Sequence, residues 1–174
     1  MVDTIVSFLE TMQEYPYIVR IFMVFIVSLL PGIGGPATTI PIGYGVLGLD
    51  LTTVTAVCII GNIIPVPFII LFIRIIFDWL KKISTGFGRL VDKLEDKAST
   101  RGKRLERGVF LGLMLYVAVP LPLPGMGAWT AALIAAIFKI ELKISFPAIA
   151  IGVVISSLIV VLGVLGVQGF IGLL

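Results

Sequence analysis

The 174-residue sequence has no histidine and a single cysteine, Cys58. Without histidine there is no His-based catalytic triad, and with one cysteine there is neither a His/Cys zinc site nor a disulfide framework. No enzymatic reaction, metal site or cofactor is therefore expected. Charge is also scarce, since Asp, Glu, Lys and Arg make up 13% of the residues where an average soluble domain carries about a quarter. What is there instead is apolar: 59% of the residues are hydrophobic and the mean hydropathy is +1.17. This is the composition of an integral membrane protein. At roughly 20 apolar residues per spanning helix, the chain has room for about four to six passes in one domain and for no large extramembrane lobe.

The charges that do occur are concentrated. Residues 78–107 (DWLKKISTGFGRLVDKLEDKASTRGKRLER) hold nine of the 13 Lys and Arg, namely Lys81, Lys82, Arg89, Lys93, Lys97, Arg101, Lys103, Arg104 and Arg107. Burying such a run in a bilayer centre would cost about 2.5 to 3.5 kcal/mol per charge, so this stretch stays in water and divides the chain in two. The positive-inside rule assigns a short basic loop to the cytoplasm, and Lys139 and Lys143 are expected on the same side. Interleaved acidic residues argue against nucleic acid as a partner. The segment before residue 18 has Asp3, Glu10 and Glu14 but no basic residue and no signal-peptide pattern. Within it Ile5, Phe8, Leu9 and Met12 fall at helical spacing, which predicts a short amphipathic helix over 1–17 lying at the membrane interface.

Two stretches, Leu51 to Phe77 and Ile144 to about Val167, are long enough to span as helices. The other apolar segments are shorter. Ile18 to Leu30 is stopped by PGIGGP (Pro31 to Pro36) and followed by Ala37 to Leu49; each arm reaches only about 20 Å against a hydrocarbon core of about 30 Å. The pattern returns as Val109 to Val119, PLPLPGMG (Pro120 to Gly127) and Ala128 to Ile140. Paired arms around a Pro/Gly break fit re-entrant hairpins, with kinked, tilted full crossings as the alternative. The halves also align: Pro31-Gly32-Ile33-Gly34 with Pro124-Gly125-Met126-Gly127 at an offset of 93, and Asp50-Leu51 with Glu141-Leu142 and Gly61 with Gly152 at 91. The fold predicted is all-α, a single membrane domain over 1–174 made of two inverted repeats (18–77 and 108–174). Each is a re-entrant helical hairpin followed by a transmembrane helix. Inverted repeats with interrupted helices point to a transporter site near the bilayer midplane.

The tips therefore carry the candidate substrate-binding residues: Pro31, Gly32, Gly34 and Gly35 in the first, Pro124, Gly125 and Gly127 in the second. Their backbone dipoles and half-helix ends suit a phosphate or other polar head group, unless the Gly and Pro simply make a compact turn whose polar groups are satisfied internally. Asn62 lies about 16 Å into its helix, just before Pro65 and Pro67, and either ties helices together or touches substrate. In the second repeat Ser156 and Ser157 fall at a similar depth. Asp50 and Glu141, equivalent in the alignment, are candidate proton carriers or ordinary interfacial charges. Trp129, just past the second tip, packs or gates. Arg74 is near enough to one end to snorkel, and Tyr15, Tyr17 and Trp79 read as interfacial anchors. Gly163, Gly166, Gly169 and Gly172 recur every third residue, a pattern of close helix contact.

GNIIPVPFIILF (Gly61 to Phe72), FLGLMLYVAVPLPLPGMGAWTAALIAA (Phe110 to Ala136) and the basic loop between them resemble the small multidrug export protein family, over nearly the whole chain from about residue 18. That family is grouped with the DedA/VTT proteins, which the resemblance implies have paired re-entrant hairpins and a part in lipid or polyprenyl-phosphate translocation. The sequence departs from the family pattern in two places. Gly35 and Ala37 stand where members commonly carry a Glu-x-Arg pair before Ile40-Pro41, and the second tip has an additional Leu-Pro pair.

The function expected is movement of an amphipathic or lipid-like anionic substrate across or between leaflets of the cell membrane by a multi-pass homo-oligomer whose partners are membrane lipids. Export of small drugs is one alternative. A non-transporting scaffold that recruits partners through its basic loop is the other.

Overall fold

The computed structural model describes residues 11–83, 102–120 and 127–171. The predicted interfacial helix is helical over residues 11–13 and ends in a bend at residues 14–15, ahead of Pro16; residues 1–10 lie outside the described residues. Seven α-helices and one π-helical turn follow, and no strand occurs among the described residues.

Helix α1 (Tyr17–Leu29) starts directly after Pro16 and ends where Pro31 forces the preceding residue out of helical geometry; Leu30 is extended at φ −74°, ψ 132°. The returning arm is not one helix. It opens as α2 (Pro36–Pro41), with Pro36 in the first turn where a missing N–H costs nothing, and then widens into a π-helix over Ile42–Val46. Pro41 has no N–H to give the ladder and its ring crowds the carbonyl four residues back, so the next turn loosens, and the Leu47 N–H reaches the Ile42 carbonyl at 3.1 Å. After Gly48, which takes a positive φ of 61°, Asp50 caps α3 (Leu51–Ile63), its carboxylate accepting from the Thr53 N–H at 2.8 Å. The predicted break falls at Ile64, ahead of Pro65, and α4 (Pro65–Ile83) continues; Leu51–Ile76 is one apolar span of 26 residues.

In the second half α5 (Gly102–Ala118) and α6 (Ala128–Ile137) precede α7 (Leu142–Ile171), which contains a second apolar span, Leu142–Phe170, of 29 residues. Helices α4 and α5 thus run into both ends of the basic stretch 78–107, and residues 84–101 lie outside the described residues. Helix α6 closes with Lys139 in the left-handed region at φ 49° and the Ile140 N–H on the Ala135 carbonyl at 2.9 Å, the Schellman arrangement.

The packing follows one rule in both halves. The first arm lies on its own long helix, α1 on α3 and α5 on α7, while the second arm lies chiefly on the long helix of the other half, α2 on α7 and α6 on α4. Two core clusters result. One joins Val24, Ile40, Leu47, Leu49, Val54 and Cys58 to Val160 and Val161 of α7. The other joins Val66, Ile69 and Ile70 of α4 to α5, α6 and the first half of α7, with the alanine face of α6 (Ala128, Ala131, Ala132, Ala135) buried in it. In a membrane interior such faces gain nothing from leaving lipid, so small residues that permit close dispersion contact are what hold helices together.

Two glycines make this concrete. A Cβ on Gly61 would overlap Ser28 Oγ and lie 3.4 Å from the Phe25 carbonyl oxygen; on Gly152 it would meet the Met114 carbonyl oxygen and Val117 Cβ, both at 2.7 Å. Phe25/Ser28 and Met114/Val117 are the same i, i+3 pair on the first arm of each half.

Candidate functional site

In the first tip the carbonyls of Ile33, Gly34 and Gly35 accept hydrogen bonds, while three of the four N–H groups donate none among the described residues. Gly34 O accepts from Thr39 Oγ1 at 3.0 Å and from Asn62 Nδ2 at 2.8 Å. Gly35 O accepts from the N–H groups of Thr38 and Thr39 at 3.1 and 3.0 Å and from Thr38 Oγ1, which also reaches Ile33 O. Gly34 N–H donates to Leu30 O at 3.0 Å, whereas the N–H groups of Gly32, Ile33 and Gly35 have no acceptor among the described residues. Gly34 is buried with no room for a side chain, its Cβ position lying 2.5 to 2.7 Å from the carbonyl oxygens of Val27, Ser28 and Leu30. Gly32 takes a positive φ of 84°. Pro31, Gly32 and Ile33 are exposed.

Asn62 is 2% exposed and makes a second bond to the Cys58 carbonyl of its own helix at 3.0 Å. It stands 11 residues along the 26-residue span, about 17 Å from its start. The hairpin turn is therefore pinned beside the middle of the long apolar helix.

The outer end of the same hairpin is pinned at the start of that helix. Tyr17 donates to the Asp50 carboxylate, and Arg20 Nη1 donates to the Leu47 carbonyl at 2.7 Å, capping the returning arm. The Arg20 guanidinium also sits 5.7 Å from the Tyr17 ring centre. The Tyr17 hydroxyl, followed by the Thr53 backbone and hydroxyl groups, lowers the Asp50 carboxyl to about 2 from 3.8. Arg74, on α4 of the first half, plays a similar part for the returning arm of the second. Instead of snorkelling it donates Nη2 to the Ile140 carbonyl just past α6. Both arginines leave a buried Nε without a partner.

Of the second-tip residues, Pro124 and Gly125 lie outside the described residues. Gly127 precedes α6 at φ 122°, which a side chain disfavours. Trp129 is half-buried and packs on the second core cluster, its Nε1 buried and without an acceptor. Glu141 is exposed; its backbone carbonyl receives the Ile144 and Ser145 N–H groups at 2.9 Å as α7 begins. Ser156 and Ser157 are buried, and Ser157 donates to the Val153 carbonyl of its own helix at 2.8 Å. The structure thus brings Asn62 to the first tip and packs Trp129 on the other core cluster, with Gly127 at the start of α6. Among the described residues Gly163, Gly166 and Gly169 make no close helix contact, for nothing lies within 4 Å of a Cβ on any of them; Gly172 lies outside the described residues. Arg20 and Ser28 are the structural residues the pattern reading passed over, and it named Arg74 only as a snorkelling residue. An arginine inside an apolar arm is itself the signal, because it must find an acceptor there.

Two apolar helices long enough to cross a bilayer, with shorter apolar helices packed along them, define an all-helical membrane protein. The profile of the small multi-drug export protein family matches residues 37–159. The chain belongs to that family. No curated protein and no solved structure matches it.

Proposed function

We propose that this chain moves an amphipathic, anionic, lipid-like molecule, such as a phospholipid or a polyprenyl phosphate, between leaflets of the membrane. The observation that carries the reading is the bond from Asn62 to Gly34, which holds a non-helical turn beside the middle of an apolar span. Main chain of that kind persists at such depth only when it is sheltered by protein or lines a wet cavity. With the Ile33, Gly34 and Gly35 carbonyls occupied, the open N–H groups of Gly32, Ile33 and Gly35 suit the turn to an anionic head group whose tails remain in lipid.

In this reading both hairpins are re-entrant and oppositely directed. Arg20 anchors the first near Asp50, Arg74 anchors the second near Ile140, and residues 51 and 74 are about 35 Å apart along α3 and α4. That distance is close to the thickness of a bilayer core, which supports hairpin mouths that face opposite sides, the arrangement expected of a relative of the DedA/VTT group. The basic stretch 78–107 then lies on the cytoplasmic side with Arg107 and Lys143. Subunits associate into a homo-oligomer.

The experiment is reconstitution in liposomes with fluorescent phospholipids or polyprenyl phosphates. Transfer between leaflets at a rate above protein-free vesicles is expected, and lost on Asn62→Leu; no transfer of either class overturns the reading. The family match favours a second reading, export of small cationic drugs. Proton coupling for it falls to Glu141, because a carboxyl held at about 2, as that of Asp50 is, does not titrate near neutrality. Resistance unchanged in Glu141→Gln would remove that version.

A further inference from the structure

Between α5 and α7 lies an open cleft of about 400 Å³ lined by Arg107, Phe110, Leu111, Lys143 and Ile144. The three α5 residues fall at i, i+3 and i+4, one face of the helix, and the two from α7 belong to its first turn. Two cations from different helices thus share one rim above an apolar floor. Both are exposed, and neither is ion-paired among the described residues. The carboxylates nearest in sequence are Glu106, which directly precedes Arg107, and Glu141, two residues before Lys143; Lys139, in the same connection as Glu141, already has a partner. The first N–H groups of a 30-residue helix also open here, adding the positive end of its dipole. The cleft sits where the charged stretch gives way to the apolar run of α5, the depth at which lipid phosphates lie.

We infer that the Arg107–Lys143 cleft binds the phosphate of an anionic phospholipid, with the upper acyl chains resting on Phe110, Leu111 and Ile144. Free phosphate is the poorer fit, since it leaves that apolar floor uncovered. The site stands apart from the transport reading: it requires only that the lipid be retained, and it would remain if no substrate crossed the membrane.

The test is native mass spectrometry of the full-length protein released from nanodiscs containing phosphatidylglycerol or phosphatidylcholine. Wild type is expected to retain phosphatidylglycerol selectively. Each charge near a membrane surface contributes enough that R107Q or K143Q alone weakens retention about fivefold and the double variant about 30-fold. The charge-conserving R107K/K143R keeps it, and the single variants decide the matter if the double variant fails to fold. Equal retention of both lipids, unchanged retention in the single variants, or displacement of the lipid by millimolar inorganic phosphate overturns the inference.

Discussion

Replacing Gly61 with alanine tests the helix contact on which the first hairpin rests. The added methyl would overlap Ser28 Oγ and lie 2.9 Å from Ser28 Cβ, which cannot rotate away. Overpacking of this order costs about 1 to 3 kcal/mol, set against about 1 kcal/mol that alanine gains over glycine inside a helix, so the net loss is about 1 kcal/mol. Ser28→Gly removes both obstructing atoms and leaves the Phe25 carbonyl oxygen at 3.4 Å, an ordinary contact. In a double-mutant cycle read by unfolding in mixed micelles, the pair is expected to couple by about 1 kcal/mol, the double variant being more stable than the two single losses predict. Gly152→Ala behaves differently. Its methyl meets a backbone carbonyl and Val117 Cβ, both at 2.7 Å, so it costs about 2 to 3 kcal/mol and Val117→Ala does not rescue it. A Gly61→Ala protein as stable as wild type, or strict additivity with Ser28→Gly, would refute the packing argument.

Asn62→Leu deprives the buried Gly34 carbonyl of one of its two side-chain donors and is expected to lower stability by about 1 to 2 kcal/mol in the same unfolding assay. Asp50, whose folded carboxyl is lowered to about 2, contributes stability that is complete above about pH 4 and disappears as pH falls toward 2; melting curves of wild type lose ground to Asp50→Asn only within that window, and a difference that titrates between pH 5 and 8 would contradict the assignment. Arg74→Leu uncaps the α6 end and is expected to cost about 1.5 to 3 kcal/mol, the range for a hydrogen bond from a charged group. Cys58 is fully buried, so the native chain should resist maleimides, and Ile33→Cys, 58% exposed at the tip, should react with a membrane-permeant reagent while resisting an impermeant one that labels Thr11→Cys. Equal labelling of both positions by the impermeant reagent would put the tip in bulk solvent.

The length of the arms and the position of their breaks are legible in the sequence because proline and glycine act locally: α1 ends at Leu29 against an expected Leu30, and the returning arm begins at Pro36 against Ala37. The π-turn after Pro41 is not legible, since a proline reports a lost hydrogen bond without reporting how the backbone absorbs it. Pairings across the chain are harder still. That the depth of Asn62 called for a partner follows from its burial in an apolar helix; that the partner is Gly34 depends on where a hairpin 28 residues earlier comes to rest. Gly61 and Gly152 were visible as a repeat, but the i, i+3 pairs they face sit at an offset of 89 rather than 93 because the second tip is four residues longer.

The exchange of second arms between halves sets an order of assembly. Helix α2 rests on α7, and Tyr44 is hydrogen-bonded to Gln168, so an arm of the first half closes against a segment synthesised 124 residues after it. Its 13-residue predecessor α1 is too short to integrate as a stable span by itself. A nascent chain halted before Leu142 has α6 on α4 but leaves α2 without its chief seat, a natural substrate for membrane quality control.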